Sequence, residues 1–485
     1  MAGNFPLSII HYPFGQRLSK IRHGILLVLI ALLPFHALFV TVGTKLLLGP
    51  GHPPLFALAV WKELLLAVFF VTAGMELYAK KKSLKIDAVG GVMIALLVLS
   101  LIVSITHSAL FTPYYLYGFK YLFLPLLFFL VCTLLPWEKG FLVQKVTPLL
   151  LFVSSIVIVF GTLSYFLPQE FFVKLGYLDA HSLYSPSTPL SAFQYISGAS
   201  IRRMQSTFAG PNQFGLWLLL PWSIACSGVF QKQEDRKQNI LFLLFIGGAL
   251  FLTFSRSAWI AAFAIFVVAL SFTLRGKQRR KVLTQIVLLV ASLGTLLALA
   301  KPELFLRGIS NEHHLMRLQE GIRVMMHEPV GRGLGSAGPA SNHLKDPCVY
   351  FPDGADTSWA RERDDLCIFV GGAQVQPFVY KKICDCAFLP ENWYLQVGVE
   401  LGVVGFLLFI ALIVVILRSL LTTDYQLLTF LPFLGISIAA LFLHAWEDSA
   451  VAYTVWGITG IALAKGNTSS WFKQILRRFR RGIME

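Results

Sequence analysis

The sequence predicts an all-α polytopic membrane protein, with about twelve transmembrane helices and one large extracytoplasmic loop before the tenth span. Three observations predict it. Apolar residues make up 56% of the 485 positions and charged residues only 14%, against roughly 45–50% and about 25% in a soluble domain. The mean hydropathy is +0.68. The apolar residues are also gathered into runs of about 20, the length a helix needs to cross a bilayer. This composition excludes an ordinary soluble enzyme and a disordered chain. A net charge of +16 would suit nucleic acid. The Lys and Arg residues fall between the apolar runs, however, where they set membrane topology, so the bilayer and not nucleic acid is the expected partner.

In chain order the apolar stretches run roughly over 24–42, 56–78, 87–106, 115–135, 146–167, 209–230, 239–254, 257–273, 282–300, 392–417, 427–446 and 449–464, with ends good to a few residues. The seventh and eighth are split only by Ser255-Arg256-Ser257 and read as two helices with a tight turn or as one broken helix. Membrane helices therefore occupy 1–300 and 392–464, with a smaller outer loop at about 168–208 that holds Tyr177, His181, Tyr184 and Tyr195. A large extracytoplasmic loop covers 301–391, and a basic tail covers 465–485.

Orientation follows from the basic loops. Arg17, Lys20 and Arg22, then Lys80–Lys82 and Lys85, then Lys232, Arg236 and Lys237, then the cluster from Arg275 to Lys281, fall on one side with the tail arginines. Both termini are expected in the cytoplasm of a bacterial inner membrane, and the large loop outside it. The first stretch lacks a small-residue cleavage site and reads as a retained helix. The tail over 471–483 mixes Trp471, Phe472 and Phe479 with arginines, either as an amphipathic helix on an anionic leaflet or as a stop-transfer tail.

Four of the six cysteines, Cys348, Cys367, Cys384 and Cys386, lie in the large loop. Two disulfides in an oxidising exterior are the expectation. A zinc site, which would need better-spaced pairs, and free thiols are the alternatives. Cys132 and Cys226 fall in apolar spans as small core residues. The chain has no phosphate-cradling glycine loop and no dinucleotide fingerprint, and no cofactor or metal is expected.

Charges at the edge of a membrane are costly and hence functional candidates. Arg203 lies in Arg202-Arg203-Met204-Gln205-Ser206-Thr207-Phe208, just before Gly210-Pro211-Asn212. Arg256 lies between two apolar helices. Arg317 and Arg323 lie on a helix expected over 315–327, ahead of the turn Pro329-Val330-Gly331-Arg332-Gly333-Leu334-Gly335. Guanidinium groups at the outer boundary suit a bidentate grip on phosphate; snorkelling, pairing with a carboxylate, or a solvated helix face are the plainer readings. At the loop's re-entry, Glu391 and Asn392 precede Gly402 and Gly405. Burial would raise the pKa of Glu391 towards that of a general base, and capping a helix is a compatible role. Lys62 and Glu63 are adjacent but expected to face different ways. His444, Glu447 and Asp448 gather at the end of the eleventh span. His313, His314, His327 and His343 read as surface histidines.

These motifs in this order resemble the O-antigen ligase and O-antigen polymerase superfamily. The resemblance rests on Arg203-x-x-x-Thr207-Phe208-x-x-Pro211-Asn212, Ser255-Arg256-Ser257, Arg317 ahead of Glu328-Pro329-Val330-Gly331-Arg332-Gly333-Leu334-Gly335, Asn392 with Gly402-x-x-Gly405, and His444-x-x-Glu447-Asp448, and it covers about 60–464. It implies a polytopic glycosyltransferase with an outward-facing site. The donor would be an undecaprenyl-pyrophosphate-linked glycan and the acceptor would be lipid- or glycan-linked. It implies metal-independent transfer in which Arg203, Arg256 and Arg317, with Arg323, Asn392 and His444, bind substrate, while Glu391 activates the acceptor hydroxyl. Ligases of the family carry His where Glu391 stands, so the resemblance leans towards a polymerase or another branch. A transporter or flippase of lipid-linked sugars, and a non-catalytic membrane scaffold, are the alternatives.

Overall fold

The computed structural model describes residues 8–79, 88–107, 112–178, 189–196, 201–230, 236–274, 276–301, 308–343, 348–351, 367–370, 373–374 and 386–464. The basic tail, His181, Tyr184 and Cys384 lie outside them. Among the described residues the chain is helical with a few short strands. It is an all-α, multi-pass membrane protein. Among the described residues, seven helical segments are long and apolar enough to cross a membrane: Gln16–Leu48, Ala88–Thr106, Pro113–Leu134, Leu142–Phe166, Pro211–Phe230, Arg256–Thr273 and Trp393–Leu420. The other expected stretches are also helical. Trp61–Ala79 carries Lys62, Glu63 and Glu76, Gly276–Ala300 opens on a basic turn and runs uncharged from residue 282 to its end, and Arg236–Leu252, Gln426–Ala439 and Ser449–Leu463 have 17 residues or fewer. Leu46, Phe152, Leu163 and Leu244 stand exposed on helix surfaces, a pattern that suits lipid and not water.

The chain divides into two compact units. The first comprises 1–91, 125–312 and 413–485. It holds α1 (Ser8–Leu32), α2 (His36–Leu48), α3 (Phe56–Ala59), α4 (Trp61–Ala79), α7 (Thr147–Phe166), α8 (Gln169–Lys174), α9 (Pro211–Phe230), α10 (Arg236–Leu252), α11 (Arg256–Thr273), α12 (Gly276–Ala300), α15 (Gln426–Ala439) and α16 (Ser449–Leu463). Its centre is α9 and α16, which are apolar on every side and buried along almost their whole length, as a helix surrounded by other helices must be. The α9 helix packs against α10, α11 and α15. Around α16, Trp446, Trp456 and Phe433 stack with ring centroids 4.8–5.3 Å apart.

One buried ion pair clamps this unit. Arg22 of α1 is fully enclosed, although the sequence places it with a basic flank. Its Nε donates to Glu76 Oε2 of α4 at 3.1 Å, and a terminal nitrogen donates to the Pro136 carbonyl at 2.7 Å. The guanidinium lies 4.2 Å from the centre of the Trp137 ring. Three parts of the chain thus meet on one side chain.

The second unit comprises 92–124 and 313–412. It takes the body of α5 (Ala88–Thr106), the start of α6 (Pro113–Leu134), most of α13 (Gly308–His327) and the first two-thirds of α14 (Trp393–Leu420). A small sheet pairs Cys348–Phe351 parallel to Cys367–Val370, which pairs antiparallel to Ala373–Gln374. Cys367 and Cys386 are disulfide-bonded, while Cys132 and Cys226 in the first unit are free and buried.

The sequence reads 392–417 as a continuous span, but α14 is broken at Gly402 (φ 71°, ψ −175°). A break inside a span frees backbone groups that lipid cannot satisfy. The glycine turn after α13 satisfies them: Arg332 N–H donates to the Val399 carbonyl, Gly333 N–H to the Glu400 carbonyl, and Val403 N–H to the Pro329 carbonyl, all at 2.9–3.0 Å. The buried Glu400 side chain accepts from Gly335 N–H at 3.0 Å. This contact leaves no room for side chains. A Cβ on Gly402 would lie 2.1 Å from the Pro329 oxygen, and one on Gly331 2.4 Å from the Gly402 nitrogen.

Two outcomes follow. Arg22→Leu removes the counter-charge from the buried Glu76 and should cost about 3–5 kcal/mol, whereas Arg22→Leu with Glu76→Leu should recover most of it, read as thermal unfolding in detergent. Gly402→Ala should disrupt the turn's docking and lower the unfolding temperature more than Gly248→Ala, whose Cβ would meet nothing within 4 Å; equal effects would contradict the docking.

Candidate functional site

The expected site residues divide between the two units, and each group is described within its own unit. In the first unit, Arg202–Arg203 form a short strand paired with Gln194–Tyr195. The stretch that follows is pinned by its polar side chains. Gln205 Nε2 donates to the Ser191 and Ala192 carbonyls at 3.0–3.1 Å, Ser206 Oγ to the Val157 carbonyl at 2.6 Å, and Thr207 Oγ1 to the Pro34 carbonyl at 2.6 Å.

Arg203 reaches across to the turn between α10 and α11. Its Nε donates to the Thr253 carbonyl at 2.9 Å, and a terminal nitrogen donates to Asn212 Oδ1 at 2.7 Å. These bonds hold the backbone that leads into Arg256. Stretches seven and eight are therefore two helices joined by a tight turn, with Ser255 at the N-cap of α11 and Arg256 as its first residue. The Ser255 side chain makes no cap hydrogen bond to α11, and the half-buried Arg256 adds positive charge to the positive end of the helix dipole, an arrangement that attracts anions.

In the second unit, Glu391 stands two residues before α14. Arg317 of α13 donates to Glu391 Oε1 at 2.5 Å, and His314 Nδ1 contacts Glu391 Oε2. The Glu391 side chain is 25% exposed. Instead of the lone buried carboxylate that the sequence suggests, it is clamped by a guanidinium and an imidazole. Asn392 Oδ1 accepts from Leu395 N–H at 3.0 Å and so caps α14. Arg323 is exposed on α13, outside this cluster. Arg332 makes a bidentate pair with Glu328 at 2.7–2.9 Å, and these bonds hold the Glu328 carboxyl below the usual range.

Three non-glycine residues with positive φ occur among the described residues: Ser206 (52°), Phe254 (49°) and Glu391 (50°). Each costs about 1–3 kcal/mol and persists only where its surroundings enforce it. All three fall within or directly beside the motifs singled out from sequence.

His444 lies half-buried in the turn between α15 and α16, where its carbonyl accepts from Glu447 N–H at 3.2 Å. Asp448 caps α16 by accepting from Val451 N–H at 3.1 Å. Nearby, Lys62 does approach Glu63, at 3.5 Å, contrary to the expectation that the two face apart. Lys62 also lies 3.0 Å from His36 Nε2 and donates to the Ala59 carbonyl at 3.0 Å.

Sequence reasoning missed His314. The expected helix began one residue after it, whereas α13 starts at Gly308 and sets His314 and Arg317 three apart on one face. That i,i+3 spacing was the available signal. Compared with family models and with curated proteins, the chain gives no match.

Desolvation raises the Asp448 pKa to about 6 from 3.8, against the pull of the Val451 and Ala450 N–H groups and of Lys62. The folded state holds this proton more tightly than the unfolded chain. The contribution to stability is therefore full below the ordinary carboxylate value and is lost as pH rises through about 6. Asp448→Asn keeps a cap and lacks the titration. Its unfolding temperature relative to wild type should climb between pH 4 and pH 7; a flat difference would contradict the assignment.

Proposed function

We propose that this protein transfers a glycosyl group from an undecaprenyl-pyrophosphate-linked glycan to a hydroxyl acceptor at the outer face of a bacterial inner membrane, in the assembly of cell-surface polysaccharide. The observation that carries the reading is the Glu391, Arg317 and His314 cluster, held on strained backbone at the foot of an apolar span. Acid–base groups at that boundary suit a substrate whose lipid lies in the membrane and whose sugar lies in water.

In this reading the hydroxyl oxygen of the acceptor attacks the anomeric carbon, and the bond from that carbon to the phosphate oxygen breaks. The pyrophosphate leaves with the electron pair. Within the first unit, Arg256 at the start of α11 is the anion-binding group, and Arg203 keeps the turn that carries it in shape. The Glu391 cluster receives the acceptor's proton. Asn392 sets the angle at which α14 begins, and His444 is assigned to the sugar with lower weight. The break at Gly402 favours a second reading, because transporters also place discontinuous helices at their substrate sites.

Purified protein supplied with an undecaprenyl-pyrophosphate glycan and EDTA should give a transferred product. Arg256→Ala and Glu391→Gln should each lose at least about 100-fold with unfolding temperatures near wild type. Lengthened lipid-linked products would mark a polymerase, and a single transfer to another acceptor a ligase. Translocation of the lipid-linked sugar without any transfer would replace this reading with the transporter.

A further inference from the structure

The contact between His314 and Glu391 has a direction that the chemistry fixes. A carboxylate oxygen only accepts a hydrogen bond, so the His314 Nδ1 that meets Glu391 Oε2 must carry the proton. In the neutral imidazole the lone pair then sits on Nε2. The His314 side chain is 44% exposed, and among the described residues Nε2 has no protein partner. Glu391 is placed differently: Oε2 is engaged by His314 and Oε1 by Arg317. Its backbone is held at φ 50°, immediately before the Asn392 cap that starts α14.

We propose that His314 is the catalytic base for the acceptor hydroxyl and that Glu391 is its positioning residue, an inference that rests on the glycosyl-transfer reading. The hydroxyl proton passes to His314 Nε2 as the oxygen bonds to the anomeric carbon and the pyrophosphate leaves with the electron pair. Nδ1–H stays directed at Glu391, whose negative charge stabilises the imidazolium, and Nε2–H then returns its proton to water. Arg317 keeps the carboxylate from turning away. Among the described residues, the charged group that pairs with His314 is Glu391, which Arg317 also holds.

The first test reads the pair without any substrate. The full chain is labelled at histidine Cε1 with carbon-13 and titrated by NMR in lipid nanodiscs, with His314→Asn identifying the resonance. The His314 ring signal should move in Glu391→Gln, because the carboxylate that meets Nδ1 is gone; an unmoved signal overturns the pairing. The second test reads transfer from an undecaprenyl-pyrophosphate glycan. His314→Asn, whose amide can still donate to Glu391, should lose about 100-fold or more in kcat, and added imidazole should partly restore His314→Gly. In Glu391→Gln the acid limb of the pH profile should move to lower pH. Full activity in His314→Asn overturns the catalytic role while leaving glycosyl transfer standing. No transfer by wild type from any lipid-linked donor overturns the function itself and the role of His314 with it, and the titration still decides the pairing.

Discussion

Backbone polar groups inside a membrane protein must find partners within the chain, and the second unit is organised around one place where a helix fails to supply them. The span from Trp393 to Leu420 opens at Gly402. The carbonyls of Val399 and Glu400 and the N–H of Val403 are then met by the turn from Pro329 to Gly333. Much else in the unit follows. Gly331 and Gly402 must be bare because the two backbones touch. Glu400 is buried to hold Gly335, and Arg332 is committed to Glu328 instead of to a ligand. The turn also fixes the exit of α13, the helix that carries His314 and Arg317, on the strand of chain that includes the broken span.

The first unit treats its arginines differently. Arg22 is a structural clamp with a carboxylate, a carbonyl and an indole face around it. Arg203 is a staple between a short strand and the α10–α11 turn. Arg256 stands at a helix start, where positive charge is least welcome to the fold and most useful to an anion. Side chains of one type thus divide into those that hold the backbone and those placed against its preference.

Much of the fold was legible in the sequence because burial in lipid is written in composition. Each apolar stretch corresponds to a helix. The break at Gly402 was not legible, because hydropathy averages over a window and registers no dihedral angle. Its two halves of evidence, the Gly402-x-x-Gly405 spacing and the glycine turn 70 residues earlier, pointed to each other only in three dimensions. The site was legible as a set of residues and not as a set of contacts. Glu391 and Arg317 stood out by type and place, but they pair across a separation of 74 positions in the chain. His314 looked like a surface histidine because its partner is not a sequence neighbour. Lys62 and Glu63 met because a long flexible side chain can bend to its neighbour, which helical geometry alone does not forbid.

The clamp at Arg22 also orders the protein's biogenesis. A guanidinium near the apolar part of α1 is costly until it is neutralised, and its carboxylate partner lies 54 residues downstream. At a synthesis rate of about 5–20 residues per second, Glu76 follows Arg22 out of the ribosome by roughly 3–10 s. Through that interval α1 cannot take its final seat and must wait at the translocon or near the headgroups until α4 arrives. The Pro136 carbonyl that completes the clamp is made later still. The clamp on α1 is therefore complete only when the segment after α6 has been made.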